Sequence, residues 1–546
     1  MTKEPAADAR ALFEAVHSGK DDAVVGLLRA GVPADVTDGD GQTPLYLAAV
    51  SDEVGIVRIL LAAGADPGRA SGPESGDLPL CGASVGGHTE VVRALLAAGA
   101  PPDQQEAYGF TALRWAVTQG HAATAWALLE YGADPDLPGP GGEQPLVLAA
   151  RRGSPSTVRA LLRHGAAAKE AALAEARQWL ARDVERELRE GLLRTFAKDE
   201  RYEAVAHRIE EDGGVTVVVE LLRDGTLFAG NEQQTGHAAI VTLLEGELGV
   251  RTPYAELAER ALRCGDPEQD DWIESVLALW DRGDEETFQA ASAWCASDDP
   301  MRQAFAADVL AQLGFASPGS ESGSGAGSGS GSGSGAGSGS GSESGAGSGS
   351  GSTAPGGSAG QDPRRPFAAR ALPLLRELSR EAREPELIQA VVLGLGHHGD
   401  VAALPEILRH AGHPDADVRN QVALSLFGLV PGDHTEGIEA LIALSRDPDP
   451  HVRDWATTAL AGVDADTAEI REALAARLGD RDLETAAEAA RGLAIRQDPR
   501  AAPALARILA NEDPDGYARD TAADAVRHVH DEKLRRRLEQ TPPRHR

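Results

Sequence analysis

The feature that most constrains this chain is a short segment that returns at a nearly fixed interval. Residues 58–67 read RILLAAGADP, and related segments begin at Val25, Arg93, Trp126 and Arg159. The glycine shared by the five copies recurs after 33, 35, 33 and 33 residues: Gly31, Gly64, Gly99, Gly132 and Gly165. A fixed period of about 20–50 residues indicates stacked repeats, because each unit completes its core only against its neighbours.

Each unit carries the signals of two helices and a turn. In the second copy, Thr43 is placed to cap a helix, and Pro44 stands at the first helical position, where its missing N–H is not needed. A second helix ends before Gly64, which suits the left-handed conformation that often follows a helix. The pattern therefore predicts helical hairpins over residues 1–167, with polar turns rich in glycine and proline between them.

These residues resemble the ankyrin repeat family, over about five repeats within residues 1–167. The matching motifs are Thr-Pro-Leu at 43–45 with Ala-Ala at 48–49, Gly-His at 87–88 and 120–121, and Gly-Ala-Asp at 64–66 and 132–134. The histidine that usually follows Thr-Pro-Leu is absent, and Leu78 replaces the capping threonine of the third copy. The resemblance implies that the turn tips and the first helices form a concave surface for a protein partner.

Seven residues of this array are candidate contacts for a partner. They are three aromatic residues, one arginine and three aspartates of the turns: Tyr46, Tyr108, Trp126, Arg114, Asp38, Asp40 and Asp136. Trp126 stands where three sister copies carry arginine, and a surface tryptophan is a typical binding anchor. The alternative is that Trp126 covers its own stack of helices.

A second period appears in residues 272–316 and 362–540. The segment HPDADVRNQVALSL begins at residue 413, and related segments begin at 447, 480 and 513, each with an acidic turn that caps a helix. The pattern resembles HEAT repeats of the phycobilin-lyase subtype. The resemblance implies that Asp449 and Arg453, or Asp415 and Arg419, pair between neighbouring units. Ala486 replaces the arginine in one copy, where the series is interrupted.

The remaining segments match neither repeat. Residues 168–271 are expected to form a helical adapter, although the β-branched run VTVVVELL at 215–222 is ambiguous. Residues 317–361 are almost wholly serine, glycine and alanine, which predicts a disordered loop inserted within the second array. A hinge between separate domains is the alternative for that segment. Residues 541–546 are expected to form a disordered tail.

Composition and charge exclude several functions. The net charge is −33, and residues 1–167, 168–361 and 362–546 are all acidic, so no nucleic-acid partner is expected. No apolar run has the length of a membrane span, and three cysteines without a paired motif fit a reducing cytoplasm. No histidine precedes a glutamate, which excludes the paired His-Glu iron site of the deoxyhypusine hydroxylase relatives. No metal, cofactor or catalytic residue is expected.

The sequence thus predicts an all-α protein with two helical solenoids, an ankyrin array and a HEAT-like array, joined by the helical adapter. The predicted function is a non-catalytic, cytoplasmic scaffold or adaptor that binds unknown protein partners along concave surfaces, with a monomer as the default state. The alternative is an enzyme or small-ligand-binding protein, such as a bilin lyase, with a site in residues 168–271. Four residues there are candidates for such chemistry: Glu232, His237, Glu245 and Asp271.

Overall fold

The computed structural model describes residues 5–72, 76–196, 201–211, 213–314, 366–511 and 516–541. Within these residues the chain is mostly helical, with 28 α-helices and one three-stranded sheet, which confirms the predicted helical fold. The predicted loop 317–361 and residues 542–546 of the predicted tail lie outside the described part. The chain divides into a first unit, residues 1–253 with 268–275, and a second unit, residues 254–267 with 276–546.

The first unit is built from two layers of stacked helices. In the first layer each helix packs against the next: α1 (Pro5–His17), α3 (Pro44–Val50), α5 (Pro79–Gly86), α7 (Ala112–Gln119), α9 (Pro145–Arg152) and α11 (Lys169–Leu180). The second layer has the same arrangement: α2 (Asp21–Arg29), α4 (Val54–Ala62), α6 (Thr89–Ala97), α8 (Ala122–Glu130), α10 (Pro155–Arg163) and α13 (His237–Glu247). Each first-layer helix also packs against its second-layer partner, which gives six hairpins.

Local signals in the sequence set the ends of these helices. The Thr43 side chain accepts a hydrogen bond from the Tyr46 N–H at 3.2 Å, and Thr111 caps α7 in the same way. The five glycines of the period have φ between 88° and 96°, a conformation that residues with a Cβ rarely adopt. The predicted caps and turns are therefore confirmed.

The apolar faces of the six hairpins form one continuous core. Leu45, Leu95 and Leu128 are at most 1% exposed and belong to this core. Leu173 of α11 and Leu244 of α13 belong to the same core, so it extends beyond the five predicted repeats. Because each hairpin buries its apolar face against its neighbours, no repeat is stable alone.

The prediction that residues 168–271 form a helical adapter is wrong for the middle of that segment. Three strands form an antiparallel sheet in the order β1-β2-β3: β1 (Tyr202–Glu211), β2 (Gly214–Arg223) and β3 (Thr226–Gln234). The run 215–219 is almost entirely β-branched, which favours a strand, and Asp224-Gly225 forms a two-residue turn with positive φ at both positions. Helix α12 (Val184–Phe196) covers one face of the sheet through Leu192.

The sheet and α12 are an insertion between the two helices of the sixth hairpin. Helix α11 packs against α9, and α13 packs against α11 and α10, as in the other repeats. His237 Nε2 lies 3.3 Å from the Arg151 carbonyl oxygen, and His121 Nε2 lies 3.0 Å from the Val85 carbonyl oxygen. Arg151 and Val85 are both the seventh residue of their helices, so His237 occupies the position of the Gly-His histidine.

The second unit also consists of helical hairpins. The helices after α13 follow in chain order, and α15 is divided between the two units at residue 275: α14 (Tyr254–Cys264), α15 (Asp270–Arg282), α16 (Glu285–Trp294), α17 (Pro300–Leu313), α18 (Ala368–Glu381), α19 (Pro385–His398), α20 (Leu404–Leu408), α21 (Ala416–Leu426), α22 (Thr435–Leu444), α23 (Pro450–Gly462), α24 (Ala468–Arg477), α25 (Leu483–Ile495), α26 (Ala501–Leu509), α27 (Tyr517–Val526) and α28 (Glu532–Glu539). Helices α17, α19, α21, α23, α25 and α27 form one stack, each packed against the next.

Arginine–aspartate pairs join neighbouring hairpins of this stack. Arg419 donates to both carboxylate oxygens of Asp447 at 2.8 and 2.9 Å, and Arg453 does the same to Asp480 at 3.1 and 3.2 Å. Asp449 instead caps α23 by accepting from the backbone N–H of residues 451 and 452. The implied pairing between neighbouring units is therefore confirmed, but the partner is the first aspartate of the following unit, Asp447 or Asp480, and not the capping aspartate such as Asp449.

The insertion makes a direct test of the sixth hairpin available. We expect a chain in which residues 182–235 are replaced by a Gly-Gly connection to keep α13 docked, because the core contacts of α11 and α13 do not involve the sheet. Its melting temperature, followed by circular dichroism, should change by less than about 5 °C. Leu244→Ala is the control and should cost about 2–5 kcal/mol with or without the insertion. Loss of the cooperative transition in the shortened chain would contradict the sixth hairpin.

Candidate partner-binding surface

The turns between repeats form a row of hairpin tips that we name the finger edge, residues 30–43, 63–72 with 76–78, 98–111 and 131–144. Three aspartates connect consecutive repeats at a spacing of 31 residues. Asp35 accepts from the Asp66 N–H at 3.1 Å, Asp103 from the Asp134 N–H at 3.0 Å, and Asp136 from the residue 167 N–H at 2.9 Å. Asp136, a candidate partner contact, therefore also has a structural role.

The other candidates of the finger edge differ in whether the side chain is bonded within its own turn or exposed to solvent. Asp38 accepts hydrogen bonds from the backbone N–H groups of Asp40 and Gln42 at 2.9 and 2.8 Å, so it shapes its own turn. Asp40 is exposed, and Tyr108 is 72% exposed at the tip of its finger. Asp40 and Tyr108 are thus available to a partner without any change of the fold.

Arg114 lies on the first layer within a row of alternating charges that the sequence analysis missed. Its Nη2 donates to Glu143 at 3.5 Å, Glu143 accepts from Arg151 at 2.8 Å, and Arg151 donates to Glu175 at 2.8 Å. The hydrogen bond from Arg151 holds the pKa of Glu143 below its usual value. The row spans three first-layer helices, and its sequence signal is charge at surface positions of α7, α9 and α11.

Tyr46 lies on the same layer, closer to the N-terminus. Burial raises the pKa of Tyr46, and the nearby carboxylates of Asp77 and Glu106 raise it further. Glu106 accepts from the Trp115 indole at 2.9 Å and from the Leu78 N–H at 3.3 Å. The first layer and the finger edge therefore bring six of the seven candidates to one side of the array.

Trp126 lies on the other layer, on α8. Its ring meets the edge of His164 at a centroid distance of 5.5 Å, and the Arg163 guanidinium lies 5.1 Å from the ring centre. The side chain is half-buried and packs against the core of the array. Trp126 is therefore not part of the surface that contains Tyr46 and Arg114.

The four residues that were candidates for hidden chemistry do not converge. Glu232 pairs with Arg152 at 2.6 Å, Glu245 pairs with Arg177 at 2.6 Å, and Asp271 accepts from the backbone N–H of residue 239 at 2.8 Å. His237 stacks on Trp179 at a centroid distance of 5.6 Å. Each of the four thus joins elements of the fold, and no cluster with the composition of a metal site occurs among the described residues.

In the second unit, α23 and α25 bring carboxylates together where little water reaches them. Asp454 accepts a hydrogen bond from the Thr485 hydroxyl at 3.2 Å. Burial, together with the negative charges of Asp482 and Glu484, raises the pKa of Asp454 to about 7. An acidic cluster alone does not make a binding site, but this one makes the stability of the unit depend on pH.

The sign of this dependence follows from the raised pKa. The folded protein holds the Asp454 proton more tightly than the unfolded chain, so we expect stability to fall as the pH rises from about 5 to about 8. Asp454→Asn should remove about 1–3 kcal/mol of that fall, measured by urea unfolding across the range. The exposed Asp520→Asn is the matched control. An unchanged pH dependence in Asp454→Asn would show that this carboxylate is not responsible.

Two aromatic residues of the ankyrin-like array should respond differently to truncation. Trp126→Ala removes ring contacts with His164, Arg163 and the core, so we expect a loss of about 1–3 kcal/mol in the free energy of unfolding. Tyr108→Ala removes an exposed side chain and should change it by less than about 0.5 kcal/mol. Urea unfolding followed by circular dichroism measures both. A loss for Tyr108→Ala as large as for Trp126→Ala would contradict the assigned positions.

Comparisons with known families agree with the two kinds of hairpin. Three overlapping segments match the family described as ankyrin repeats (3 copies): residues 3–71, 64–139 and 80–173. Residues 438–527 match the family described as HEAT repeats. No curated protein matches the chain. In the described part of the chain, no helix has both the length and the apolar character needed to cross a membrane. The N-terminal part of the chain therefore consists of ankyrin repeats, and its C-terminal region contains HEAT repeats.

Proposed function

We propose that this protein is a non-catalytic scaffold whose ankyrin array binds a basic segment of a protein partner. Ankyrin and HEAT repeats are typical protein-interaction modules. The observation that carries the proposal is the charge of the finger edge, whose segments contain ten acidic residues and one basic residue. The rest of residues 1–167 has ten acidic and eleven basic residues, so the net negative charge of the array is concentrated on this edge.

The candidate residues have different roles in this proposal. Asp40 and Tyr108 contact the partner directly, since both are exposed and neither is needed to shape the fingers. An exposed tyrosine offers a ring face to a lysine or arginine side chain, and nearby carboxylates strengthen that contact. Asp38 and Asp136 hold the fingers in position, while Tyr46 and Arg114 line the adjoining first layer. Trp126 lies on the opposite layer, where it contacts a partner at a site separate from the finger edge.

The HEAT repeats supply a second interaction surface in the same proposal. Their stack belongs to the phycobilin-lyase subtype and binds protein without carrying out chemistry. An odd number of cysteines without a paired motif supports a location in the reducing cytoplasm. In this proposal the scaffold is a monomer that presents two interaction arrays.

Capture from an extract of the native host tests the finger edge. The full chain, an Asp40→Lys/Tyr108→Ala variant and a control are immobilised, and the retained proteins are compared by mass spectrometry. The control is Glu90→Lys, which reverses an exposed charge on the second layer. We expect proteins retained by the natural chain and the control to be at least fivefold depleted with the finger variant. Retention by the natural chain should fall as NaCl is raised, and its difference from the finger variant should shrink, because salt screens the opposite charges that drive the contact.

Two results would contradict the proposal. One is retention of the same proteins by the finger variant and the natural chain. The other is equal depletion with Glu90→Lys, which would show that total charge matters and the finger edge does not. Melting curves of the three proteins, expected to agree within about 3 °C, verify that the substitutions leave the array folded.

A further inference from the structure

A cleft of about 260 Å³ lies between the ankyrin repeats and the inserted sheet, and we name it the seam cleft. One wall is formed by the loops that join the two helices of the third and fourth hairpins, and the other by the sheet and the end of α9. The residues that matter here are Thr89, Gly120, His121, Arg152, Glu232 and Gln234. The cleft exists because the sixth hairpin carries an insertion, so it is separate from the finger edge.

The sheet is fixed against the repeats at this place. Gln233 Nε2 donates to the carbonyl oxygens of Arg151 and Arg152 at 2.9 and 2.5 Å. Arg152 Nη2 donates to Glu232 at 2.6 Å, and the Gly236 N–H donates to the Gly153 carbonyl oxygen at 3.1 Å. These bonds hold the two walls at a defined separation.

Two buried polar atoms of the cleft have no hydrogen-bond partner among the described residues. One is Oε1 of Gln234, a residue that is 8% exposed, and the other is Nε of Arg152. Both lie beside Gly120, where a Cβ would be 2.6 Å from Oε1 and 2.9 Å from Nε, so only glycine leaves room for them. An unsatisfied buried polar atom costs about 1–3 kcal/mol. The cleft therefore keeps one donor and one acceptor unused.

We propose that the seam cleft binds a carboxamide group. A carboxamide offers an N–H to Gln234 and a carbonyl oxygen to Arg152, and it complements the glutamine amide in either orientation. The last torsion of a glutamine side chain is soft, so the Gln234 amide turns toward the ligand at little cost. The cleft has the volume of roughly nine water molecules, which suits an asparagine or glutamine side chain or a small free amide.

Charge favours a neutral group over a carboxylate. Glu211 and Glu232 line the cleft together with Arg152, so the fixed charges of these three residues sum to −1. An anion would gain one contact with Arg152 and meet two carboxylates. A carboxylate also lacks the N–H that Gln234 Oε1 requires.

Matched probe pairs test this ligand chemistry on the full chain. Saturation-transfer NMR is recorded with propionamide and propionate, and with acetyl-glutamine methylamide and acetyl-glutamate methylamide. We expect signals from the carboxamide member of a pair to be at least fivefold stronger than those from its acid. Binding of propionamide assigns a small free amide as the source, whereas binding of the glutamine probe alone assigns a peptide side chain, and both support the proposal. Equal signals within each pair, or no binding by any probe, would overturn it.

Three variants locate the binding. Gln234→Leu removes the acceptor, and Arg152→Lys removes the Nε donor while keeping a positive charge beside Glu232. Each should lower the carboxamide signal at least fivefold, whereas Gln178→Ala, on the exposed face of α11, should leave it unchanged. If Gln234→Leu fails to melt cooperatively, the carboxamide signal of Arg152→Lys alone tests the location of the binding. Undiminished binding by a folded Gln234→Leu or Arg152→Lys protein would refute the assignment.

Discussion

The mutual burial of apolar helix faces by neighbouring hairpins is the interaction on which the rest of this structure depends. Leu113 and Leu146, in successive first-layer helices, are at most 2% exposed, and neither can be covered within its own repeat. Burying a leucine contributes about 1.5–3 kcal/mol, so each hairpin is stabilised mainly by the next. The same requirement explains why α13 returns to the array after the insertion, since without it the outer face of the fifth hairpin would be left uncovered.

The two arrays join their repeats with different polar contacts. In the ankyrin array an aspartate carboxylate accepts from a backbone N–H of the next turn, as with Asp35 and Asp66. In the HEAT region arginine side chains reach carboxylates of the next unit, and Arg471 with Asp498 adds a second link between the two units that Arg453 and Asp480 join. The first arrangement leaves carboxylates along the finger edge, and the second neutralises them. The ankyrin array is consequently the one with an unbalanced acidic edge.

The sequence was sufficient to predict those features of the fold whose signal lies within one repeat. Helix caps and turn glycines were predicted correctly because each depends on neighbours within about 33 residues. The sixth hairpin was missed because its halves are separated by residues 181–235, although Gly236–Ala239 repeats the Gly-His-Ala-Ala of 120–123. The sheet was missed although Asp224-Gly225 is a strong hairpin signal. The pairing of Arg114 with Glu143 depends on how far successive helices are offset, and no pattern within one repeat encodes that distance.

Hydrogen–deuterium exchange of the full chain, read by mass spectrometry, tests the continuous core most directly. If six hairpins share one core, peptides from α13 (237–247) should exchange as slowly as those from α8 (122–130). Peptides from the finger at 98–111 should exchange much faster, because few of their amides lie in helices. Fast exchange of α13 alongside a protected α8 would show that the core ends with the fifth hairpin, and would contradict the account.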